Sequence, residues 1–208
     1  NTHNRAGGVV FPVDEMRKIR SVADQYGLSI HMDGARLWNA AAATGTDLRA
    51  WTDLADSVSV CLSKGLGCPA GSLIAGSRSF IDRAHRFRKV FGGGMRQAGI
   101  LAAAGLYALE HHRKRLVEDH QNCRLLAETI AALPGAILDL QWVQTNILIV
   151  ELGQNAPFDG PGFANAMKEV GVWFLATAPR KVRLVTHLDV TRADIEEACC
   201  LIRRVWSV

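Results

Sequence analysis

Leu28-Ser29-Ile30-His31-Met32-Asp33-Gly34 is the stretch on which the reading of the fold turns. It is a short apolar run of strand character, stopped by an Asp-Gly pair. Upstream, Val13, Met16, Ile19, Val22, Ala23 and Tyr26 recur at three- and four-residue steps and predict a helix closed by Gly27. Downstream, a second helix is expected from about Ala35 to Ala43, closed by Gly45, with a short helical piece from Asp47 to Leu54. Ser57-Val58-Ser59-Val60-Cys61-Leu62 alternates as a strand and enters a Gly/Pro turn from Gly65 to Gly71. Ser72 to Ala75 reads as the returning strand. Helix, strand, helix, strand in that order implies the α/β class, with a parallel or mixed sheet flanked by helices.

Farther along, helix-rich sequence runs from Arg78 to Leu133, interrupted by Gly92-Gly93-Gly94, and Pro134-Gly135 marks a boundary. Ala136–Leu140, Asn146–Glu151, Val172–Ala176 and Val182–Leu188 are four strand candidates, with helices expected near Phe158–Val170 and Thr191–Val205. The division this suggests is a first domain over residues 1–115 and a smaller α+β domain over 116–208, bridged by one long helix over 95–133.

Composition excludes several classes. A chain of 208 residues can bury one good core, or one domain and a smaller companion. With 49% hydrophobic and 21% charged residues it is neither disordered nor collagenous nor a disulfide scaffold. Lys and Arg number 24 against 20 Asp and Glu, the signs are interspersed, and no run of five like charges occurs. Attraction to nucleic acid or to a membrane surface is therefore not implied. The five cysteines are odd in number, Cys199 and Cys200 are adjacent, and no CxxC pair with zinc spacing exists, so no metal site is expected. No apolar run reaches the ~18 residues of a spanning helix, and Asn1-Thr2-His3-Asn4-Arg5 does not read as a signal peptide. A reducing, cytoplasmic setting is expected. The chain opens on Asn1 in what reads as a loop, and the first element of the domain is expected to precede it.

In open α/β sheets, ligands bind beyond the carboxyl ends of the strands. Asp33 and Lys64 stand at two such ends, 31 positions apart, about one βαβ unit. A carboxylate and an amine there suit pyridoxal phosphate: the lysine holds the aldehyde as a Schiff base, and the acid keeps the pyridine nitrogen protonated. Lysine serves because its amine can lose a proton when partly desolvated, whereas arginine cannot. Plainer roles exist for each residue. Asp33 ahead of Gly-Ala-Arg is equally a helix N-cap, and Lys64 beside glycines is equally a solvated loop lysine. Gly65-Leu66-Gly67 and Gly92-Gly93-Gly94 could cradle a phosphate, while no GxxxxGK[ST] or GxGxxG occurs. Of the seven histidines, His111, His112 and His120 read as surface residues, His85 as facing water, and His31 as packed or hydrogen-bonded. His187 falls just after Arg183, and His3 falls in the opening loop, at the expected edge of a site.

Four blocks carry a family resemblance. His31-Met32-Asp33-Gly34-Ala35-Arg36-Leu37-Trp38-Asn39-Ala40 resembles the cofactor segment of the low-specificity L-threonine aldolases. Ser63-Lys64-Gly65-Leu66-Gly67-Cys68-Pro69-Ala70-Gly71-Ser72 is similar to their lysine segment. Gly92-Gly93-Gly94-Met95-Arg96-Gln97-Ala98-Gly99 and Arg183-Leu184-Val185-Thr186-His187 resemble two further blocks, in the same order. The likeness runs from Asn1 to near the C-terminus. It implies an aspartate aminotransferase-like enzyme of fold type I, with residues 1–115 the later part of the cofactor-binding large domain and 116–208 the small domain.

That resemblance also implies roles. Lys64 would carry the Schiff base with pyridoxal 5'-phosphate, Asp33 would pair with the pyridinium nitrogen, and Arg36 would reach the ring's phenolic oxygen or the substrate carboxylate. Arg183 would clamp that carboxylate through its planar fork. Lys89 and Arg96 are weaker expectations for phosphate contacts, across a subunit interface. The implied reaction is retro-aldol cleavage of L-threonine, L-allo-threonine and related β-hydroxy-α-amino acids to glycine and an aldehyde, a step of threonine catabolism and glycine biosynthesis. The implied assembly is a dimer or tetramer with shared sites. The family's main phosphate loop, its ring-stacking histidine and its proton-transfer histidine have no counterpart in residues 1–208. A β-eliminating lyase or aminotransferase of the same fold, or an inactive fragment, are the alternatives.

Overall fold

The computed structural model describes residues 4–207, and His3 lies outside them. Contacts divide the chain into two compact units, one spanning Val10–Leu116 and one made of residues 4–9 and 117–207.

In the first unit the order is α1 (Val13–Gln25), β1 (His31–Gly34), α2 (Leu37–Thr44), α3 (Arg49–Thr52), β2 (Ser57–Cys61), β3 (Ser72–Gly76), α4 (Arg78–Val90) and α5 (Gly99–His111). α1 buries Met16 and Ala23 and turns its charged residues outward. Arg20 on α1 pairs with Asp56 at 2.9 Å, and Asp56 also accepts the Ile30 N–H at 2.7 Å. That N–H, then the guanidinium, holds the Asp56 carboxyl below the usual carboxylate range. The bond fixes how the chain enters β1. β1 runs parallel to β2 with Asp33 opposite Ser59, and β3 returns antiparallel with Ser72 opposite Cys61, giving the order β1-β2-β3. Met16, Met32, Leu37, Ala40, Trp51 and Val58 form the core beneath the sheet. A second cluster of Leu62, Leu66, Cys68, Ala108 and Leu116 packs around the chain that follows β2.

The second unit contains α6 (Leu116–Ala131), whose first residue belongs with the first unit, then β4 (Ala136–Ile137), β5 (Ile147–Leu152), α7 (Gly160–Glu169), β6 (Leu175–Ala178), β7 (Lys181–Val185) and α8 (Arg192–Trp206). Its four strands are all antiparallel, in the order β4-β5-β7-β6. α8 starts on a capping box in which Thr191 and Asp194 satisfy each other's amides. Its Ile195, Ala198, Cys199, Ile202 and Trp206 recur at helical spacing and enter the core with Phe163, Met167 and Val182. The Trp206 and Phe163 rings meet edge-on, 4.9 Å apart.

The α/β architecture is as expected from the sequence. One element is corrected: residues 95–133 are not a single helix. α5 stops at His111 and α6 begins at Leu116, because the His112 ring bonds to the Leu66 carbonyl and Leu116 is buried in the adjacent cluster. Two strands also move: the ladder at β1 covers His31–Gly34, not Leu28–Met32, and β6 covers Leu175–Ala178, not Val172–Ala176. Among the described residues no helix is long and apolar enough to cross a membrane.

Candidate active site

The parallel pair β1–β2 places two functional groups at its carboxyl end. Asp33 is the third residue of β1, exposed, between the buried Met32 and Gly34. Its Oδ1 accepts the Ala35 N–H at 3.0 Å, closing a tight turn at the strand end. It is not the N-cap of α2. Arg36 holds that position, and no side chain caps the helix.

Lys64 follows the last residue of β2 by three positions, is exposed, and donates from Nζ to Cys61 Sγ at 2.7 Å. It is no free-floating loop lysine, because the segment around it is tied down at several points. Leu62 N–H donates to Gly71 O at 3.0 Å, Cys68 N–H to Leu62 O at 3.1 Å, and Gly67 N–H to Lys64 O at 2.8 Å. Leu66 is fully buried, and His112 Nδ1 lies 2.7 Å from its carbonyl. A carbonyl only accepts, so Nδ1 carries the hydrogen of that bond. Gly65 is pressed between α2 and the start of α6. A Cβ at that position would stand 2.9 Å from Leu116 Cδ2 and 3.0 Å from Asn39 Oδ1, too close for either to stay put.

Three amides of the glycine runs are already engaged within the chain. Gly92, at φ +80°, ends α4, and the N–H groups of Gly92 and Gly93 donate to the Lys89 and Arg88 carbonyls. The Gly67 amide is engaged by Lys64. Lys89 sits in the last turn of α4 with its stem against Gly94, and Arg96 is exposed in the connection to α5.

Arg183 belongs to the second unit. It lies on β7, opposite Ile149 of β5 and Leu175 of β6, and its Nε is buried with no hydrogen-bond partner among the described residues. His187 beyond it pairs with Asp189, with Nδ1 3.2 Å from the carboxylate. His31 Nδ1 is 2.8 Å from Ser57 Oγ, in line with a hydrogen-bonded strand histidine.

Two histidines depart from their expected surface positions. His112 is half-buried and braces the lysine loop. His120 lies in α6, where burial pushes its imidazole down to about 4. Helix position alone could not reveal either. A histidine in a polar run carries no mark of the loop that folds against it.

The first unit is thus a short mixed sheet with a carboxylate and a tied-down lysine at the ends of its parallel strands, within an α/β fold. The chain belongs to the β-eliminating lyase family, whose sequence profile matches residues 1–152. It is 45% identical over 197 residues to the low specificity L-threonine aldolase of Escherichia coli (strain K12), covering 95% of this chain and 56% of that one. It is 36% identical over 206 residues to the "Probable low-specificity L-threonine aldolase 2" of Arabidopsis thaliana, covering 99% of this chain and 58% of that one. The chain therefore spans little more than half the length of these relatives. Its fold is similar to that of a "putative L-allo-threonine aldolase" from Listeria monocytogenes EGD-E, with a TM-score of 0.83 at 22% identity, covering 99% of this chain and 58% of that one.

Proposed function

We propose that this chain supplies the lysine-and-aspartate part of a pyridoxal 5'-phosphate-dependent aldehyde-lyase that splits L-threonine, L-allo-threonine and related β-hydroxy-α-amino acids into glycine and an aldehyde. The observation that carries the reading is the placement of Asp33 and Lys64 at the carboxyl ends of adjacent parallel strands. The named activity of the relatives supports it.

The donor set suits the cofactor. Lys64 offers a primary amine, the one side-chain group that can hold the cofactor's aldehyde carbon covalently. Asp33 offers a carboxylate with one oxygen already turned by Ala35 N–H. Arg183 has an Nε–H without a partner among the described residues, a donor that a substrate carboxylate would satisfy. What the bound cofactor supplies is an electron sink beside the substrate's α-carbon.

The chain's own residues would then divide the work. Asp33 keeps a proton on the pyridine nitrogen and so keeps the ring electron-poor. Arg183 and Arg36 hold the substrate carboxylate, which orients the Cα–Cβ bond for cleavage. The Cys61 thiol and the tied-down loop keep the Lys64 amine at the strand end. Lys89 and Arg96 are assigned the cofactor phosphate, as the weaker part of the reading. The reading extends to a cytoplasmic homo-oligomer, a dimer or tetramer with shared sites. The exposed apolar residues of α4 and α5, among them Phe87, Ile100 and Leu106, support an assembly.

The family profile itself favours a second reading, β-elimination at the same lysine. Product analysis on the full-length protein separates the two: glycine plus aldehyde for the aldolase, ammonia plus a keto acid for the lyase. Borohydride treatment should erase a visible cofactor band and leave the label on Lys64, and Lys64→Ala should abolish turnover with the melting temperature unchanged. Labelling at any other lysine, or near-normal turnover by the variant, sinks the assignment.

A further inference from the structure

One cavity of the first unit lies where α2 and α5 end. It measures about 520 Å³, and its walls come from residues 38–47 and 109–114. Its apolar lining is Ala41, Ala42, Leu109 and the Trp38 indole. The indole is held in place, because its Nε1–H donates to Cys61 O at 3.2 Å.

The rim carries charges of both signs. Arg113 and Lys114 line it, and the Arg113 guanidinium lies 5.2 Å over the centroid of the Trp38 ring. A guanidinium held over a ring face keeps its N–H groups for other partners. Asp47 and Glu110 line the same cavity. Among the described residues neither Arg113 nor Lys114 meets a carboxylate within 4 Å. Asp47 uses Oδ1 on the Arg49 N–H at 2.7 Å, and the one ionic neighbour of Glu110 is His111 at 3.7 Å. The four charges of the cavity therefore do not neutralise one another in pairs.

Their surroundings sort them. Glu110 lies in the last turn of α5, and Asp47 stands three residues beyond the end of α2. The carbonyl end of α5 carries partial negative charge, so the Glu110 carboxylate sits where a negative group is unfavourable and a visiting cation is welcome, while Asp47, whose Oδ1 accepts the first amide of α3, adds a second carboxylate to the lining. Arg113 and Lys114 are the anion-seeking members of the lining. A ligand carrying an ammonium and a carboxylate on one small apolar body satisfies both kinds of group at once.

We propose that this cavity is a binding site for a free α-amino acid with an apolar side chain: ammonium toward Asp47 and Glu110, carboxylate on Arg113 and Lys114, side chain over Ala41, Ala42 and Leu109. It is separate from the Asp33–Lys64 pair and does not depend on the function proposed for that pair.

Calorimetry on the full-length protein tests it, after cofactor loading and borohydride reduction so that an added amine cannot react at Lys64. L-leucine is the probe. Its two halves, 4-methylpentanoate without the ammonium and 3-methylbutylamine without the carboxylate, are the controls. L-leucine is expected to bind one site per chain and each half at least about ten-fold more weakly, since each lacks one charge-assisted anchor. Arg113→Gln combined with Lys114→Gln should weaken leucine by about ten-fold or more while leaving turnover unchanged. Asp47→Asn keeps the acceptor used by Arg49 and should weaken leucine without unfolding the α2–α3 turn.

No binding of leucine at concentrations on the order of 10 mM overturns the proposal. So does equal binding by wild type and both variants, or binding of either half within about two-fold of leucine. If reduction leaves Lys64 unlabelled, the function proposed above fails, while the comparison of leucine with its halves still decides this site.

Discussion

The Lys64 amine, to which the proposed reaction is assigned, is placed by groups that the proposal leaves without a chemical role. His112 is the clearest of them, reaching from the end of α5 to the Leu66 carbonyl. Replacing it with Phe keeps a ring of similar size beside Tyr107, whose own ring meets that of His112 edge-on at 5.4 Å. It removes the donor and leaves a carbonyl in a buried loop without a partner, which costs about 1–2 kcal/mol. His112→Phe should therefore lower the free energy of unfolding by that amount, read as a lower urea midpoint at unchanged slope, and reduce kcat through the displaced loop. An unchanged midpoint would show that water replaces the bond, and that His112 is no brace.

Among the elements, α8 shows how a local sequence signal sets an end. Thr191 Oγ1 accepts the Asp194 N–H while Asp194 Oδ2 accepts the Thr191 N–H, and the Thr191 hydroxyl bond to Oδ2 at 2.7 Å, then that N–H, hold the Asp194 carboxyl low. Thr191→Ala should destabilise the second unit by about 1 kcal/mol in a denaturant titration, with Thr191→Ser recovering most of it. Equal midpoints for Ala and Ser would remove the cap from the account.

Such capping pairs and stop residues are visible in sequence, which is why α1, α7 and α8 fall close to their expected spans. Strand edges were less legible, because a ladder depends on its partner. Val172 reads as a strand residue, yet its N–H donates to Met167 O as the close of α7, so pairing begins only at Leu175. The strand expected over Ala136–Leu140 shrinks to Ala136–Ile137, because Asp139 turns the chain by accepting the Gln141 N–H. The strand-end positions of Asp33 and Lys64 were legible because they follow from the spacing of the two strands. His112 was not, because its role exists only once the lysine loop has folded.

At the scale of the molecule, stability will depend on pH through the one strongly shifted histidine among the described residues. His120 titrates near 6.5 when unfolded and at about 4 in the fold. Above pH 6.5 both states are neutral there, and the residue contributes no slope. As pH falls from 6.5 toward 4 the unfolded chain gains a proton that the folded chain refuses, so stability declines across that window and the loss levels off below it. The shift corresponds to roughly 3 kcal/mol. His120→Gln should flatten the stability profile between pH 6.5 and 4 relative to wild type. Parallel profiles for the two proteins would place the His120 ring in water. The decline should be read in the second unit, where Cys123, also in α6, has its thiol pushed up to about 12 by the same burial.

The contacts around Gly65 have a consequence for how this chain can drift. Positions 39, 65 and 116 lie far apart in sequence, yet one methyl group at 65 would collide with both of the others. They are therefore bound to change together. In a saturation library Gly65→Ala should be lost on its own and recovered when Leu116 is shortened to Val or Ala together with a smaller residue at position 39. A deep mutational scan would register that as sign epistasis. Survival of Gly65→Ala in every background would show the three positions to be independent.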